Sequence, residues 1–466
     1  IRDRIITKYP LKTMKSLQKY ITIYVKYENS DYLICFFRFK CVFLHKTLKK
    51  MILNLKFSNY RSFKNDCIFT TEPGKSKAKT ANLCDSRTQG EGIKQALKVS
   101  IVFGANASGK TNVMRFLYGL KRWVQNLDNR MGENIPLYDP FKFDDETTNA
   151  PIEFFIEFIT NNLRYNYQLK FGRREVLSES LSYFPNGKTA SLFERVRSGS
   201  KALTHTVRFG SKVTGIKPFT VFPNQLILSK FIIDTPGENI TEAAKYLADL
   251  VVSNGYHEDI KLGLYNDMME WIAQHPEDKK KLGELLAFAD TGVKDFELEK
   301  RHSDKSYEVK SLHRRYNNGQ FVGKTDLPFT EESFGTRALF LLGCYILQSL
   351  KSGSPLLVDE IDSGLHTYIT RLIVDIFKNT RINKKNAQLI FTTHDVNLLD
   401  QENIRRDQIW FVEKNEFGSS ELFSLSDFGD VREDTPFAKW YMNNKFGAVP
   451  TLRSLEKLFM TDGTSK

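Results

Sequence analysis

One eight-residue segment carries the clearest chemical signal in the sequence. Residues 104–111 read GANASGKT and match the pattern G-x-x-x-x-G-K-[ST] at every fixed position. In such a loop the glycines let backbone N–H groups curve around a polyphosphate, the lysine reaches the terminal phosphates, and the hydroxyl ligates Mg²⁺. We predict that the loop binds ATP. Lys110 is also expected to be catalytic, and Thr111 is also expected to be a metal ligand. The residues expected to contact the nucleotide are Gly104, Asn106, Ser108, Gly109, Lys110 and Thr111.

A pair of carboxylates follows an apolar run about 250 residues later. Residues 355–360 read PLLVDE, a pattern typical of a buried strand that ends in two acidic residues. Because neighbouring side chains on a strand point to opposite sides, we predict that Asp359 joins the Mg²⁺ shell and that Glu360 is the general base for an attacking water. Without other motifs, a strand followed by two acidic residues is a solvated strand end about as often as it is a catalytic site. The preceding phosphate loop favours the catalytic role.

Two further segments have the residue types of an ATPase site. ESFGT at 332–336 precedes an apolar helical pattern, so Ser333 and Gly335 form either an ordinary helix N-cap or a second anion site. QLIFTTHD at 388–395 predicts a buried strand that ends in His394, 34 residues after Glu360, which leaves room for one crossover helix. We predict that this strand is parallel to the Asp-Glu strand, and that His394 is catalytic because a donor there stabilises developing charge.

The elements that position these residues follow from hydrophobic periodicity. The pattern predicts strands over 52–57, 67–71, 98–103, 152–160, 163–171, 176–184, 355–358 and 388–392, with further strand-like residues near 293 and 307. It predicts helices over 112–127, 336–350 and 368–378, and a helical stretch over 240–289. Turns are expected at Asn161-Asn162 and at 172–174. This order predicts an α/β fold in which strands that alternate like an antiparallel sheet are followed by a return to alternating helices and buried strands.

The same pattern suggests a division of the chain. We expect a basic leader at 1–50 that is not part of the natural fold, an ATPase lobe with the phosphate loop at 51–185, a mixed and helical insertion at 186–290, a second ATPase lobe at 291–415 and a C-terminal extension at 416–466. The leader lacks clear periodicity, and Met51 is the expected natural start. A basic arm for a membrane or nucleic acid is the alternative for this segment.

Composition excludes several classes of protein. The 466 residues are 41% hydrophobic and 26% charged, which fits a globular protein rather than a collagen-like or disordered one. The sequence has no uninterrupted apolar run of about 18 residues, so no membrane-spanning helix is predicted. Residues 1–50 contribute +9 of the net +13, and the +4 left for the remainder gives little support for a nucleic-acid-binding body. The five cysteines show no metal-binding spacing, so we expect a reducing, cytoplasmic setting.

These segments in this order, together with NYRSF at 59–63, resemble the ABC-type ATPase heads of the SMC and RecF group. They look most like the AAA-domain ATPases of bacterial phage-defence operons, including the overcoming-lysogenization-defect type. The resemblance implies a P-loop NTPase of the ABC/SMC-head type, α/β, whose mixed sheet has an antiparallel β subdomain and a short helical insertion. It implies ATP and Mg²⁺ as cofactors.

The resemblance also implies roles for particular residues. Arg61 would help hold the nucleotide, and ESFGT would stand for the ABC signature, so that Ser333 contacts the γ-phosphate held by the other subunit. Residues 362–366, DSGLH, fall at the family's D-loop, which crosses the dimer interface. The Q-loop glutamine is not assignable, and Gln168 and Gln225 are both candidates.

The departures from the family narrow the expected function. The SMC ATPases carry coiled coils of hundreds of residues, whereas the insertion here has room only for a compact lobe. The overcoming-lysogenization-defect proteins add a Toprim-type nuclease, but only about 70 residues follow His394, without an acidic cluster at two-metal spacing. The resemblance therefore implies the ATPase of a two-gene system such as the PARIS anti-phage system, and KFGAVP at 445–450 looks like the ending of that subgroup.

We expect an ATP-hydrolysing switch that closes as a homodimer or higher homo-oligomer. In this interpretation it acts in abortive infection as sensor and scaffold, holding a separate Toprim-type nuclease or toxin effector until a phage trigger protein docks. The alternative is a RecF- or SMC-like repair ATPase that binds DNA. A transporter ATPase is disfavoured, because it would normally carry a stricter LSGGQ-like signature. No membrane partner is expected.

Overall fold

The computed structural model describes residues 22–27, 30–37, 40–45, 49–88, 90, 94–125, 132–197, 205–216, 220–233, 237–253, 262–301, 306–432 and 434–450. The chain divides into two units, residues 1–48 and 49–466. The first unit contains an antiparallel sheet in the order β1-β2-β3, formed by β1 (Thr22–Tyr27), β2 (Ser30–Phe37) and β3 (Lys40–His45). Periodicity does not predict these strands. Their content of β-branched and aromatic residues supplies the strand propensity instead.

The second unit contains the remaining elements. Its strands are β4 (Met51–Ser58), β5 (Cys67–Thr70), β6 (Leu83–Asp85), β7 (Gln95–Leu97), β8 (Val99–Gly104), β9 (Ile152–Thr160), β10 (Leu163–Phe171), β11 (Val176–Tyr183), β12 (Ala190–Arg197), β13 (His205–Phe209), β14 (Val251–Ser253), β15 (Asp295–Lys300), β16 (Tyr307–Asn317), β17 (Gln320–Pro328), β18 (Leu356–Val358), β19 (Leu389–Thr392), β20 (Ile409–Lys414) and β21 (Ser420–Ser424). Its α-helices are α1 (Lys110–Gln125), α2 (Ile227–Ile233), α3 (Glu238–Ala248), α4 (Leu262–Ala273), α5 (Pro276–Phe288), α6 (Phe334–Ser352), α7 (Thr367–Lys378) and α8 (Phe437–Met442).

A six-stranded sheet carries the motifs. Its order is β14-β18-β19-β8-β20-β21, with parallel pairing throughout except at β21, which is antiparallel to β20. The strand of the acidic pair, β18, lies beside the histidine strand, β19, and β19 lies beside β8, which leads into the phosphate loop. The predicted parallel pairing of the acidic and histidine strands is therefore confirmed, and α7 is the predicted crossover helix. Parallel strands align their carboxyl ends, so the three motifs meet at one sheet edge.

A seven-stranded antiparallel sheet forms the second large layer. Its order is β13-β12-β11-β10-β9-β4-β5. The predicted turn between β9 and β10 is confirmed, because Asn161 and Asn162 have φ of 51° and 58°, as a two-residue hairpin turn requires. The two sheets together confirm the predicted mixed α/β class, in which a parallel nucleotide-binding sheet lies beside an antiparallel β subdomain. Smaller antiparallel sheets are β15-β16-β17 and β6-β7.

Helix α1 packs between the two large sheets and fills the main core with aromatic rings. Phe116 of α1 stacks on Phe57 of β4 and Phe154 of β9, with ring centroids 5.4 and 4.6 Å apart. A second core packs the other face of the parallel sheet against α7 and α8. A third joins α4, α5 and α6 to β15 and β16. The position of the phosphate loop is therefore fixed by packing on both sides of α1.

The predicted helical stretch over 240–289 is wrong at one place. After α3 the chain forms β14, which pairs in parallel with β18 at the edge of the main sheet. Val251 and Val252 are buried on both faces, so their sequence shows no strand alternation and merges with the helical pattern around it. Residues 254–261 lie outside the described part of the chain.

The segment 186–290, expected as an insertion, contributes to several layers. Strands β12 and β13 extend the antiparallel sheet, α2 and α3 pack in the main core, and α4 and α5 pack beside α6. Toward the C-terminal end of the described residues, residues 445–450 (KFGAVP) pack against β20. The Ala448 N–H donates to Glu413 Oε1 (3.1 Å), and Phe446 stacks on Phe411. In the part of the chain that the structure describes, no helix is long and apolar enough to cross a membrane.

Candidate nucleotide-binding site

The phosphate loop joins the end of β8 to the first residue of α1. Gly104 has φ of 155° and Gly109 has φ of 114°, conformations that favour glycine. A Cβ at Gly104 would overlap the Val412 carbonyl oxygen, and one at Gly109 would overlap the hydroxyls of Ser62 and Ser420. Both glycines are therefore required by backbone conformation and by close approach, as a loop that wraps a polyphosphate needs.

Two serines from distant parts of the chain hold this loop. Ser420 of β21 donates its hydroxyl to the Ser108 carbonyl and its N–H to the Ser62 carbonyl (2.7 Å). Asn112 donates its side-chain amide to Ser62 Oγ (2.8 Å). Ser62 belongs to the NYRSF segment singled out from the sequence. Ser420 carries no sequence signal, because it is an ordinary serine more than 300 positions from the loop that it contacts.

Lys110 is buried against the loop itself. Its ammonium donates to the carbonyls of Gly104 and Ala105, both at 2.9 Å, and the residue is 5% exposed. Burial lowers the pKa of Lys110 to about 8, although the carboxylates of Glu360, Asp359 and Asp362 oppose that shift. A buried cation on a glycine-rich loop with nearby carboxylates fits a polyphosphate and a divalent metal ion.

Asp359 and Glu360 follow β18 rather than lie on it. The strand ends at Val358, and Glu360 has φ of 49°, so the predicted strand alternation is not what separates the two carboxylates. A buried threonine organises both residues. Thr392 of β19 donates its hydroxyl to Asp359 Oδ1 and accepts the N–H of Glu360, each at 2.7 Å. Thr392 stands two residues before His394 in the segment QLIFTTHD, and no sequence signal marks its hydroxyl as part of the site.

His394 lies just beyond the end of β19, as predicted, with an exposed side chain. Its backbone N–H donates to Asp362 Oδ2 (3.2 Å), which ties this position to the predicted D-loop. Partial desolvation and the nearby Lys110 charge lower the pKa of His394, so its imidazole is neutral at pH 7. A neutral imidazole can donate one hydrogen bond without adding positive charge beside Lys110.

The electrostatic interactions show that the predicted catalytic residues share one site. Lys110 interacts with Asp359, Glu360 and Asp362, and His394 interacts with the same three carboxylates and with Lys110. Thr111 is half-buried in the first turn of α1. Its hydroxyl and the Asp359 carboxylate are hard oxygen ligands of the kind that Mg²⁺ prefers, so these two residues would hold the metal.

Ser333 and Gly335 lie on a different segment. Ser333 caps α6, because its Oγ accepts the Thr336 N–H (3.1 Å), which is the ordinary N-cap considered from the sequence. A Cβ at Gly335 would overlap the carbonyl oxygen of Gly364, so the signature segment packs directly on the predicted D-loop. The preceding Glu332 is bonded to His313 Nε2 (2.6 Å) and to the Ser311 hydroxyl of β16. A role for Ser333 at a second subunit's nucleotide stays a prediction.

Arg61 points toward an aspartate in this structure. Its Nη1 lies 2.8 Å from Asp139 Oδ2, and its backbone N–H donates to the Asp139 carbonyl (2.8 Å). Of the glutamines considered for the Q-loop, Gln168 lies exposed on β10, and Gln225 is buried with its carbonyl bonded to Arg195. The nucleotide contact of Arg61 stays a prediction, and neither glutamine is assigned.

Backbone strain occurs at three positions of this site; among the described residues that are neither glycine nor asparagine, it also occurs at Lys79, Asp290 and Ala448. Arg61, Ala107 and Glu360 have positive φ of 54°, 60° and 49° although they are neither glycine nor asparagine. Such conformations cost about 1 to 3 kcal/mol each and persist where the surroundings fix them. Here they occur in the NYRSF segment, in the phosphate loop and directly after Asp359. The conformation of these three turns is therefore held by the surrounding structure.

We expect Thr392→Val to slow ATP hydrolysis about tenfold in a folded protein. The valine keeps the shape but leaves the Asp359 carboxylate and the Glu360 N–H without their shared partner, at a cost of about 1 to 3 kcal/mol. Thermal unfolding and a steady-state ATPase assay measure both effects. Thr370→Val is the matched control, because the buried Thr370 hydroxyl has no partner among the described residues. Equal effects of the two variants would contradict the role of Thr392.

The lowered pKa of Lys110 predicts a pH-dependent ATP affinity. Without nucleotide its pKa is about 8, and the negative phosphates must raise it on binding. ATP binding should therefore take up a proton near pH 8.5, and affinity should fall by up to about tenfold per pH unit above pH 8. Below pH 7 this group adds no pH dependence, because it is already protonated. Calorimetry in buffers of different ionisation enthalpy measures the uptake, and Lys110→Arg, which keeps its proton, should lack it.

Comparison with known proteins places the chain in a family. The family model described as "AAA domain, putative AbiEii toxin, Type IV TA system" matches residues 99–400, which include the phosphate loop, Ser333, the acidic pair and His394. A comparison with curated proteins finds no significant match.

Several solved structures are similar to this chain. The SMC head domain from Thermotoga maritima is 14% identical with a TM-score of 0.33, and covers 80% of this chain and 98% of its own. The Smc head domain with an extended coiled coil from Pyrococcus furiosus is 13% identical with a TM-score of 0.38, and covers 81% and 96%. The Pyrococcus yayanosii Smc head domain is 10% identical with a TM-score of 0.37, and covers 85% and 99%. These scores are below 0.5 and say nothing about what this chain binds.

The family match and the arrangement of the sheets agree on the class of protein. The matched residues make up more than half of the chain. Within them, a parallel sheet presents a phosphate loop, an acidic pair and a histidine at one edge, which is a P-loop NTPase fold. The chain belongs to the AAA-domain family that is described as putative AbiEii toxin of type IV TA systems.

Proposed function

We propose that this protein is an ATP-driven switch, which binds and hydrolyses ATP with Mg²⁺ and closes on a second copy of itself. The observation that carries the proposal is the convergence of Lys110, Asp359, Glu360 and His394 at one sheet edge. In this site Lys110 balances the phosphate charge, Glu360 accepts the proton of the attacking water, and the neutral His394 donates to the developing charge. Bound Mg²⁺ would neutralise phosphate charge from Thr111 and Asp359.

The signature segment supports closure on a second copy. Ser333 and Phe334 are exposed at the start of α6, so this helix terminus is accessible to a second copy. Within the described residues the Ser333 hydroxyl bonds Thr336, not the chain's own phosphate loop. A second copy would bring its nucleotide to this terminus, and contacts to the γ-phosphate that ADP lacks would shift the equilibrium toward the closed dimer.

The switch is proposed to control a separate effector in anti-phage defence. The family description names a toxin and a toxin–antitoxin system, which supports a defence role. We place the chain as sensor and scaffold of a two-gene system of the PARIS type, where it holds a Toprim-type nuclease or another toxin until a phage protein docks. Cytoplasmic action is part of the same proposal.

A pull-down tests this function directly. The full chain with Glu360→Gln is purified with MgATP from cells that carry the neighbouring genes, and bound molecules are identified by mass spectrometry and a nucleic-acid stain. A stoichiometric nuclease-like protein that is lost with Lys110→Ala supports the switch. Salt-sensitive DNA without such a protein would support the DNA-repair alternative instead.

A further inference from the structure

The hairpin of β16 and β17 ends in a basic and aromatic surface, which we call the tip. Its aromatic rings are far from buried: Tyr316 is 55% and Phe321 60% exposed, and the two rings lie 6.2 Å apart. The tip consists of Arg314, Arg315, Tyr316, Phe321, Val322 and Lys324. The nearest carboxylate along β17, Asp326, is two residues beyond Lys324.

The residues of the tip contribute little to the stability of the hairpin that carries them. Arg314 pairs directly across the hairpin with Lys324, and like charges opposite each other destabilise a sheet. Among the described residues, no carboxylate forms an ion pair with Arg314, Arg315 or Lys324, although ion pairs occur elsewhere in this sheet. Exposed rings flanked by arginine are typical of residues that dominate protein interfaces.

A surface of opposite charge lies beside the phosphate loop. Phe143 is 76% and Phe417 72% exposed, and the turn that carries Phe417 touches the Phe143 ring at Gly418. We call this surface the acidic patch; it consists of Phe143, Asp145, Glu146, Glu416 and Phe417. Three lysines border it: Lys142 is paired with Asp139 (2.7 Å), Lys64 is paired with Asp144 (2.6 Å) and interacts electrostatically with Glu146, and the exposed Lys414 precedes the turn by sequence. No ion pair involves Asp145, Glu146 or Glu416 within the described ranges.

Each surface is next to a motif that must meet its counterpart across the proposed dimer. On the tip side, His313 contacts Glu332, the residue before Ser333, and Tyr316 lies three residues farther along β16, about 10 Å. On the other side, Ser420 contacts Ser108 of the phosphate loop, and Phe417 lies three residues away, at most about 11 Å. Where a signature segment meets the phosphate loop of a second copy, the tip and the acidic patch are therefore both close to the junction.

We propose that the tip of one copy docks on the acidic patch of the other, twice in a two-fold dimer. A two-fold axis requires self-complementary surfaces, and the chain carries both halves of such a pair. The docked contact would couple dimer closure to the signature segment through the His313–Glu332 hydrogen bond. This inference rests on the proposed ATP-dependent dimer. It identifies the occupant of the tip as a second copy rather than a nucleic acid.

A charge swap tests the contact. All proteins carry Glu360→Gln, so that MgATP accumulates the closed dimer, and mass photometry measures dimerisation. One variant has Arg314→Glu and Arg315→Glu, and the other has Asp145→Lys and Glu416→Lys. Each alone should dimerise at least about tenfold more weakly than the Glu360→Gln parent, because both docking contacts then join like charges. Mixed together they should form a heterodimer within about threefold of the parent, because both contacts again join opposite charges.

Controls separate the possible failures. Lys280→Glu with Glu284→Lys, a remote reversal on the exposed face of α5, should leave dimerisation unchanged. If the parent dimerises but the mixture does not recover, the docking contact is wrong and the ATP switch stands. A parent that binds a fluorescent ATP analogue but stays monomeric overturns both. Loss of single-stranded DNA binding in the arginine variant, with normal dimerisation, would assign the tip to nucleic acid and overturn the contact.

Discussion

Replacing Lys110 by alanine is expected to weaken ATP binding by about 100-fold or more and to abolish measurable hydrolysis. The ammonium is the cation that the loop itself supplies, and it is held at the loop by two carbonyls at 2.9 Å. Hydrogen bonds to charged groups are worth about 1.5 to 3 kcal/mol each, so losing one or two corresponds to roughly 10-fold to 10⁴-fold in affinity. Equilibrium binding of a fluorescent ATP analogue measures the first effect, and phosphate release measures the second.

Two controls make this result specific. Lys280→Ala removes an equally charged but exposed side chain on α5 and should change neither measurement. Thermal unfolding without nucleotide should show that Lys110→Ala is folded, because the variant also removes a partly desolvated charge whose burial opposes folding. Normal ATP affinity in a folded Lys110→Ala protein would contradict the assignment of the loop.

The sequence predicts the motif-bearing elements because their local signals are strong. The glycines and lysine of the phosphate loop have few alternative uses, and the apolar runs before Asp359 and His394 correspond to buried parallel strands. Spacing alone suffices to place a crossover helix between Glu360 and His394. The antiparallel strands β9 and β10 are predicted at their observed bounds, because one face of each alternates and an Asn-Asn turn joins them.

The rest depends on contacts between residues far apart in sequence. Ser420 and Asp139 are recognisable only once folding brings them to Ser108 and Arg61. The strand β14 is hidden because burial on both faces removes its alternation. The separation of Asp359 from Glu360 illustrates the same limit, since it comes from a positive φ at Glu360 and not from strand geometry. Thr392, inside a predicted strand, shows that a position can be predicted while its bonding is not.

The hydrogen bonds at the sheet edge link motifs that are expected to act together. Thr392 connects the acidic pair to β19, Asp362 connects the D-loop to His394, and Gly364 packs on Gly335 of the signature segment. A shift of the signature segment toward a second copy's nucleotide would therefore reach the D-loop by direct packing and His394 through one hydrogen bond. This continuity gives a physical route by which closure and hydrolysis can be coupled.

Glu360→Gln is expected to separate ATP binding from hydrolysis. An amide has nearly the shape of the carboxylate but cannot accept the proton of the attacking water, and general-base catalysis contributes about 10²- to 10⁴-fold. The Glu360 N–H bond to Thr392 is a backbone contact and survives the substitution, so the turn after Asp359 should stay in place. We expect hydrolysis to fall at least about 100-fold while ATP affinity is retained, and a dimer to accumulate with MgATP but not with MgADP.

The comparison with Lys110→Ala gives this result its meaning. Both variants lack hydrolysis, but only Glu360→Gln should bind ATP and dimerise, because the phosphate contacts that favour closure remain. Glu284→Gln, an exposed carboxylate on α5, is the matched control and should behave as the unmodified protein. Steady-state phosphate release and mass photometry on the same samples provide the two readouts. Unimpaired hydrolysis would remove Glu360 from the role of general base, and a hydrolysis-deficient monomer that binds MgATP would contradict the proposed ATP-dependent dimer.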